Sequence, residues 1–272
     1  MEHLQIFILA LVQGLSEFLP ISSSAHLVII SPLLGWEDQG LGFDIGLHFG
    51  TLLAVLIFCR QELWFILQDS HQAIKYKKIT AGFYLGLMLA LATLPIIIAG
   101  FFLKDWVALF ARNMVLIAVT TLVFGLALGW ADYAGKQTHS LTSMGWRQAM
   151  FIGILQILAL IPGVSRSGIT ITAALLMGLN RTDSAKFSFL LSIPTIAGAQ
   201  TLLLMDWLQA GTLATSNFIW QHAVLGGVMA SVIAFVTMKF LLELVKKIGY
   251  TPFAVYRVFL GLGLFFWVYY AV

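Results

Sequence analysis

The sequence predicts an all-α polytopic membrane protein, with six transmembrane helices and two re-entrant helical hairpins in an inverted-topology repeat. Three observations predict it. The 272 residues are 60% hydrophobic and only 10% charged, and the mean hydropathy is +0.94, a composition for lipid rather than for a soluble globule. Six apolar runs are long enough to cross a bilayer once their flanks are included. Four more apolar stretches, 4–16, 22–34, 148–161 and 167–178, fall short of the roughly 20 residues a span needs. They come as two pairs, each joined by a polar, Ser-rich break.

In chain order, the first pair forms a hairpin over about 4–34 that enters the membrane, turns at Pro and Ser, and leaves on the same side. One broken span per pair is the alternative. Run 45–59 is a short span extended at its ends, and 79–103 and 113–131 cross fully. The second hairpin covers about 148–178, and 187–205 crosses next. Run 207–238 exceeds one span, so its start reads as loop up to about Asn217. The last run, 258–272, needs the preceding 251–256 to cross. These elements fill residues 1–272 as a single integral-membrane domain and leave no room for a large soluble one. The start, Met1-Glu2-His3-Leu4, lacks the basic region of a cleavable signal peptide.

Two segments offset by 143 positions resemble each other. Gln13 aligns with Gln156, Ile21-Ser22 with Val164-Ser165, Ser24 with Ser167, and Leu33-Leu34-Gly35 with Leu176-Met177-Gly178. The repeat halves are expected at about 1–110 and 111–272. Duplicated membrane folds often place their site where the broken helices of the two repeats meet.

Charge sets the orientation. One side receives the 60–78 loop with Arg60, Lys75, Lys77 and Lys78, and also Lys136, Arg147, Arg181, Lys186, Lys246 and Lys247. The other receives Lys104 and Arg112 with the acidic Glu37, Asp38, Asp44, Asp105 and Asp206. The positive-inside rule puts the basic side in the cytoplasm and both termini outside. The net charge of +3 is too small to argue for nucleic acid. Lys75–Lys78 sits against anionic headgroups, and Trp106, Trp130, Trp207 and Trp220 suit the interfacial belts. The single cysteine, Cys59, excludes an intramolecular disulfide and reads as inert packing.

The chemistry lies in the two breaks. The first reads Gln13-Gly14-Leu15-Ser16-Glu17-Phe18-Leu19-Pro20-Ile21-Ser22-Ser23-Ser24-Ala25-His26, and the second Pro162-Gly163-Val164-Ser165-Arg166-Ser167-Gly168-Ile169-Thr170. An ionisable group at membrane depth is a functional-site hypothesis by default. Glu17 there needs a metal, a cation or a proton. Ser22, Ser23 or Ser24 can cap the following helix, whose free N–H groups form an anion site. Ser23 and His26, three apart, share one helical face. Arg166, flanked by Ser165, Ser167 and Thr170, fits either a bidentate phosphate clamp or an ion pair to Glu17. His48, in the first span, reads as a packing residue, with approach to the site as the alternative, and His3, His71, His139 and His222 have no clustered partners.

Both motifs resemble those of the bacterial undecaprenyl-diphosphate phosphatases, the bacitracin-resistance membrane phosphatase family. The family's first motif runs Glu/Gln-Gly-x-x-Glu-Phe-Leu-Pro-x-Ser-Ser-(Ser/Thr)-(Gly/Ala)-His, the second Pro-Gly-x-Ser-Arg-Ser-Gly-x-Thr, and the resemblance covers essentially the whole chain. It implies hydrolysis of undecaprenyl diphosphate to undecaprenyl phosphate and inorganic phosphate with a divalent cation, Mg2+ or Ca2+. It further implies a bacterial cytoplasmic membrane enzyme with an outward-open site that recycles the lipid carrier for cell-wall synthesis. Bacitracin would compete for the lipid substrate rather than bind the protein. Many members carry Glu where this chain has Gln13, so Glu17 carries the acidic role alone or a metal rests chiefly on the substrate's phosphates. Ala25 replaces a common Gly.

On this reading Ser23 is the candidate nucleophile, Glu17 the metal ligand or base, and His26 an aid to proton transfer. Arg166 and the helix amides hold the charge that grows on the phosphoryl group. Gln13, Ser22, Ser24, Ser165, Ser167 and Thr170 complete the substrate-binding set. Direct attack by water activated by Glu17 or His26 is the alternative. A transporter or flippase of an anionic polyprenyl lipid or solute is the competing function, since broken helices and inverted repeats suit transport equally. A homodimer is compatible with either.

Overall fold

In a computed structural model, residues 2–111, 113–209 and 220–271 are described. Eleven α-helices carry them: α1 (His3–Ser16), α2 (Ser23–Leu33), α3 (Leu41–Phe58), α4 (Arg60–Tyr76), α5 (Ala81–Phe110), α6 (Met114–Ala134), α7 (Trp146–Gln156), α8 (Arg166–Leu176), α9 (Arg181–Gln209), α10 (Trp220–Ile248) and α11 (Thr251–Ala271). Six of them, α3, α5, α6, α9, α10 and α11, are long and apolar enough to cross a membrane. These are the six expected spans. At about 1.5 Å per residue, α1, α2, α7 and α8 reach only about 16–21 Å, well short of the ~30 Å hydrocarbon core.

Three expectations are corrected. The 60–78 segment is not a loop: it forms the amphipathic α4, whose Trp64, Phe65 and Leu67 are exposed beside Glu62 and Lys75, the pattern of a helix lying in a membrane interface. Helix α5 runs on to Phe110, past Lys104 and Asp105, because a helix need not end where hydropathy does. Residues 207–209, expected as loop, belong to α9, which runs to Gln209. Positions 210–217 of that expected loop lie outside the described residues, as do Arg112 and the side chain of Trp207. Trp106, Trp130 and Trp220 are exposed, as interfacial residues should be.

Ion pairs join helix ends in agreement with alternating crossings. Lys104 Nζ lies 2.8 Å from Asp206 Oδ1, tying late α5 to late α9. At the opposite ends, Arg181 Nε lies 2.6 Å from Asp132 Oδ1, tying early α9 to late α6.

Inside, helices meet at small residues. Helix α3 packs on α10, α6 on α11, α1 on α10 and α5 on α7. Lipid tails are as apolar as side chains, so close backbone approach rather than the hydrophobic effect holds such pairs. Gly50 of α3 faces Gly227 of α10 so closely that a Cβ at Gly50 would overlap the Gly227 carbonyl. Cys59, at the end of α3, is buried, and burial pushes its thiol up to about 12, consistent with inert packing.

Gly50→Ala should therefore cost about 1–3 kcal/mol, because a backbone carbonyl cannot swing aside. Gly198→Ala, with nothing within 4 Å of the added carbon, is the matched control. Thermal unfolding in detergent checks this; equal midpoints for the two variants would remove the close approach from the account.

Candidate active site

The two polar breaks fold alike. Ser22 and Ser165 are the N-caps of α2 and α8, and both have the left-handed φ that a non-glycine residue seldom adopts, 75° and 71°. Each cap hydroxyl accepts from the N–H three residues on: Ser22 Oγ from Ala25 at 3.4 Å, Ser165 Oγ from Gly168 at 3.1 Å. Each also lies 3.2 Å from the hydroxyl two residues on, Ser24 and Ser167 respectively. Helices α2 and α8 thus begin with the same turn, and their N-termini carry Ser23 and Arg166.

Glu17 is the hub between the turns. Its Oε2 accepts from Ser23 Oγ at 2.8 Å and from Gln13 Nε2 at 3.1 Å, and its Oε1 accepts from Arg166 Nη2 at 2.9 Å. The carboxylate is 8% exposed. A charge buried this deeply persists only when paired and hydrogen-bonded, and Glu17 is both. The ion pair between Glu17 and Arg166 is therefore present. It leaves donors over, because Arg166 carries five N–H groups. One goes to Glu17 and one, from Nη1, to the Ser188 carbonyl at 3.2 Å.

The other expected residues divide into those at the hub and those behind it. Ser23 is half-buried and its hydroxyl hydrogen points to Glu17, which leaves the oxygen lone pairs free. Ser24 is exposed. Ser167 is buried and donates to the Leu19 carbonyl at 2.9 Å, lacing the second turn to the first. Thr170 is fully buried and bonds to Ser188 Oγ at 2.8 Å, so it braces α8 against α9.

His26 does not bond to Ser23. Its Nδ1 lies 2.7 Å from the Ser22 carbonyl and must carry a proton there, since a carbonyl only accepts. Its Nε2 lies 2.6 Å from the Tyr256 hydroxyl. His26 on the first turn of α2 is thus coupled to α11, not directly to the Ser23–Glu17 pair.

Sequence reasoning missed two residues at this place. His48, read as packing, brings Nε2 to 3.7 Å from Glu17 Oε2. Its Nδ1 lies 2.9 Å from the Asp44 carbonyl, so Nδ1 carries a proton and Nε2 is the ring nitrogen that faces the carboxylate. Arg257 of α11 is fully buried and reaches both turns. The signal was available for Arg257: it is the one charged side chain in the 251–272 span. His48 carried the same signal, a titratable ring within the 45–59 span, but only the packing of α3 decides that it meets Glu17.

Among the described residues no group of three or more His, Cys, Asp or Glu side chains could hold a metal. The nearest donors are Glu17, His48 Nε2 and Gln13 Oε1, the last buried with no hydrogen-bond partner. A cavity of about 610 Å³ lies elsewhere, at the ends of α6, α7 and α8, lined by Lys136, His139, Trp146 and Arg147. Its lining contains no carboxylate.

A lipid-embedded helical protein whose serine hydroxyl is bound by a carboxylate, with an Arg and two helix N-termini beside it, is built to handle a phosphate group at a membrane. The chain belongs to the family of bacitracin resistance protein BacA, whose sequence profile matches residues 6–263. It is 46% identical over 268 residues to an undecaprenyl-diphosphatase of Alcanivorax borkumensis, covering 98% of this chain and 100% of that one. It is equally similar, 46% over 268 residues with the same coverage, to an undecaprenyl-diphosphatase of Chromohalobacter salexigens.

Glu17→Gln removes the acceptor for the Ser23 proton and leaves Arg166 buried without its counter-charge. Turnover should fall about a thousandfold, as for loss of a general base, with a stability loss of about 3 kcal/mol from the broken buried pair. Phosphate release and thermal unfolding of the purified variant measure both; activity within tenfold of wild type would move the acidic role elsewhere.

Proposed function

We propose that this chain hydrolyses undecaprenyl diphosphate to undecaprenyl phosphate and inorganic phosphate, recycling the lipid carrier for cell-wall synthesis and conferring bacitracin resistance. Two full-length relatives bear the name of that activity. The observation that carries the chemistry is Ser23 Oγ, 2.8 Å from a carboxylate whose other oxygen is held by Arg166.

In this reading Ser23 Oγ attacks the terminal phosphorus while its proton passes to Glu17 Oε2. The anhydride P–O bond breaks, and undecaprenyl phosphate leaves with the bond's electron pair. Glu17 gives that proton up to the departing phosphate. Water then attacks the phosphoserine phosphorus and passes a proton to the freed carboxylate, the Ser23 Oγ–P bond breaks as Oγ takes that proton back, and inorganic phosphate leaves. Protonating Glu17 also weakens its hold on Arg166. The guanidinium thereby becomes available as charge grows on the transferring group, which makes the ion pair and the phosphate clamp two stages of one residue. Ser22, Ser24, Ser165 and the N–H groups at the starts of α2 and α8 supply further donors. Attack by water held by Glu17 is the alternative first step, with His26 reporting to Tyr256 in either case.

A divalent cation, Mg2+ or Ca2+, fits an oxygen-rich set made of Glu17 and Gln13 Oε1, with His48 Nε2 beside it. Bound there, it would neutralise the diphosphate. One carboxylate is too few to hold it alone, so the substrate's phosphates would complete the site.

The short pairs α1–α2 and α7–α8 serve as re-entrant hairpins, one from each side, and their matching caps support an inverted repeat. Equal halves each need one hairpin and three spans, so the division falls between α6 and α7 rather than at residue 110. The Lys and Arg distribution favours cytoplasmic α4 and external termini in a bacterial cytoplasmic membrane, with the Glu17 site toward the exterior. Bacitracin would then compete for the exposed lipid diphosphate.

Release of phosphate from undecaprenyl diphosphate by the purified protein in detergent tests the activity directly; a folded protein that releases none would overturn it. Arg166→Lys keeps the charge but cannot bond Glu17, the Ser188 carbonyl and a phosphoryl oxygen together, so turnover should drop at least about a hundredfold. A single cysteine near residue 76, in a Cys59→Ala background, should resist impermeant thiol reagents in intact cells; ready labelling would reverse the orientation.

A further inference from the structure

Arg257 presents an unusual electrostatic situation. It sits two turns into a span, fully buried, and no ion pair joins it to a carboxylate among the described residues. Its partners are backbone carbonyls. Nη1 lies 3.5 Å from Pro20 O, Nη2 donates to Gly163 O at 3.0 Å, and Nε donates to Thr121 O of α6 at 3.2 Å. Pro20 and Gly163 occupy equivalent places in the two breaks, each two residues before the cap serine. One guanidinium therefore spans the two turns that carry Ser23 and Arg166, and braces them on α6.

We infer that Arg257 is a positioning residue that sets the spacing between the two turns, and that its unbalanced charge makes the site a trap for the phosphate anion. The inference rests on the reaction proposed above. The geometry needs an arginine. The three carbonyls lie in different directions, and a planar fork reaches them from fixed angles, whereas an ammonium on a flexible stem presents one centre. Catalysis needs the spacing. The attacking oxygen stands on one turn and the cation on the other, and reacting groups misplaced by about 1 Å lose on the order of a hundredfold in rate. The charge acts at a distance. With Glu17 already matched by Arg166, Arg257 leaves the cluster one positive charge in excess, and at low dielectric that excess acts across several ångströms.

A purely architectural arginine would lower stability and leave each folded molecule equally active. A positioning arginine separates kcat from KM. Arg257→Lys retains the charge and loses the brace, so kcat per folded molecule should fall about a hundredfold with KM within about threefold, alongside a lower unfolding midpoint from the carbonyls left without donors. Arg257→Met loses both, so KM for the lipid diphosphate should rise about tenfold in addition. Wild-type kcat in the Lys variant, or unchanged activity per folded molecule in the Met variant, overturns the inference. Should neither variant fold, Gly125→Ala decides. On α6, its added carbon would stand 2.7 Å from Arg257 Cβ and displace the side chain without removing it. The midpoint should fall with the overlap, so activity is read per folded molecule: a kcat loss of about tenfold supports the role, and wild-type kcat overturns it. Ser23→Ala and Arg166→Lys run alongside. If both stay fully active, the reaction assigned to these turns is wrong. If both are inactive while Arg257→Lys is active, only the role of Arg257 is wrong.

Discussion

The whole structure depends on one requirement: backbone carbonyls exposed by breaking a helix inside a membrane must find donors within the protein. Lipid offers none, and each unsatisfied group costs several kcal/mol. Two breaks create that demand twice. Arg257 meets it at Pro20 and Gly163, Thr120 Oγ1 donates to Pro162 O at 2.6 Å, and Ser167 meets it at Leu19. All three residues donate from another helix or from the opposite break. The breaks are therefore stable only when the two halves of the chain are assembled, so the active site and the fold form together.

That dependence explains the distribution of polar residues. Buried hydroxyls and amides outside the hub serve structure: Thr170 on Ser188, and Gln156 between the Ala92 carbonyl and Thr195. Gln156 matches Gln13 in sequence, yet only Gln13 touches the Glu17 carboxylate. The two turns are alike, and the proposed chemistry lies in their differences. The first break carries Glu17, His26 and Ser23, the proposed nucleophile. The second carries the guanidinium. An anionic substrate held between two helix N-termini then meets opposite functions from opposite sides.

The charge balance decides how the site rests and how it works. Glu17 and Arg166 neutralise each other at 2.9 Å, which makes two ions tolerable at depth. The same pairing favours the ionised form of Glu17, which the proposed mechanism uses to accept the Ser23 proton. In that mechanism the tight ion pair is also the general base, because accepting the proton is what loosens the pair.

Much of this was legible from residues 1–272 alone. The six spans followed from hydropathy, since the bilayer imposes length and apolarity whatever the packing. The four short helices followed from their failure to reach that length. Gln13, Glu17, Ser23, His26 and Arg166 stood out because polar groups are costly in an apolar run. Tertiary structure alone decided the partners. Nothing in the local pattern pairs Ser23 with Glu17 rather than His26, or turns His26 toward Tyr256. The approach of His48 and the bracing by Arg257 depend on α3 and α11 packing against helices far away in sequence. Composition and periodicity report the solvent each residue faces, which the sequence encodes position by position. A hydrogen bond between distant residues depends on angles and distances that exist only once the helices have packed.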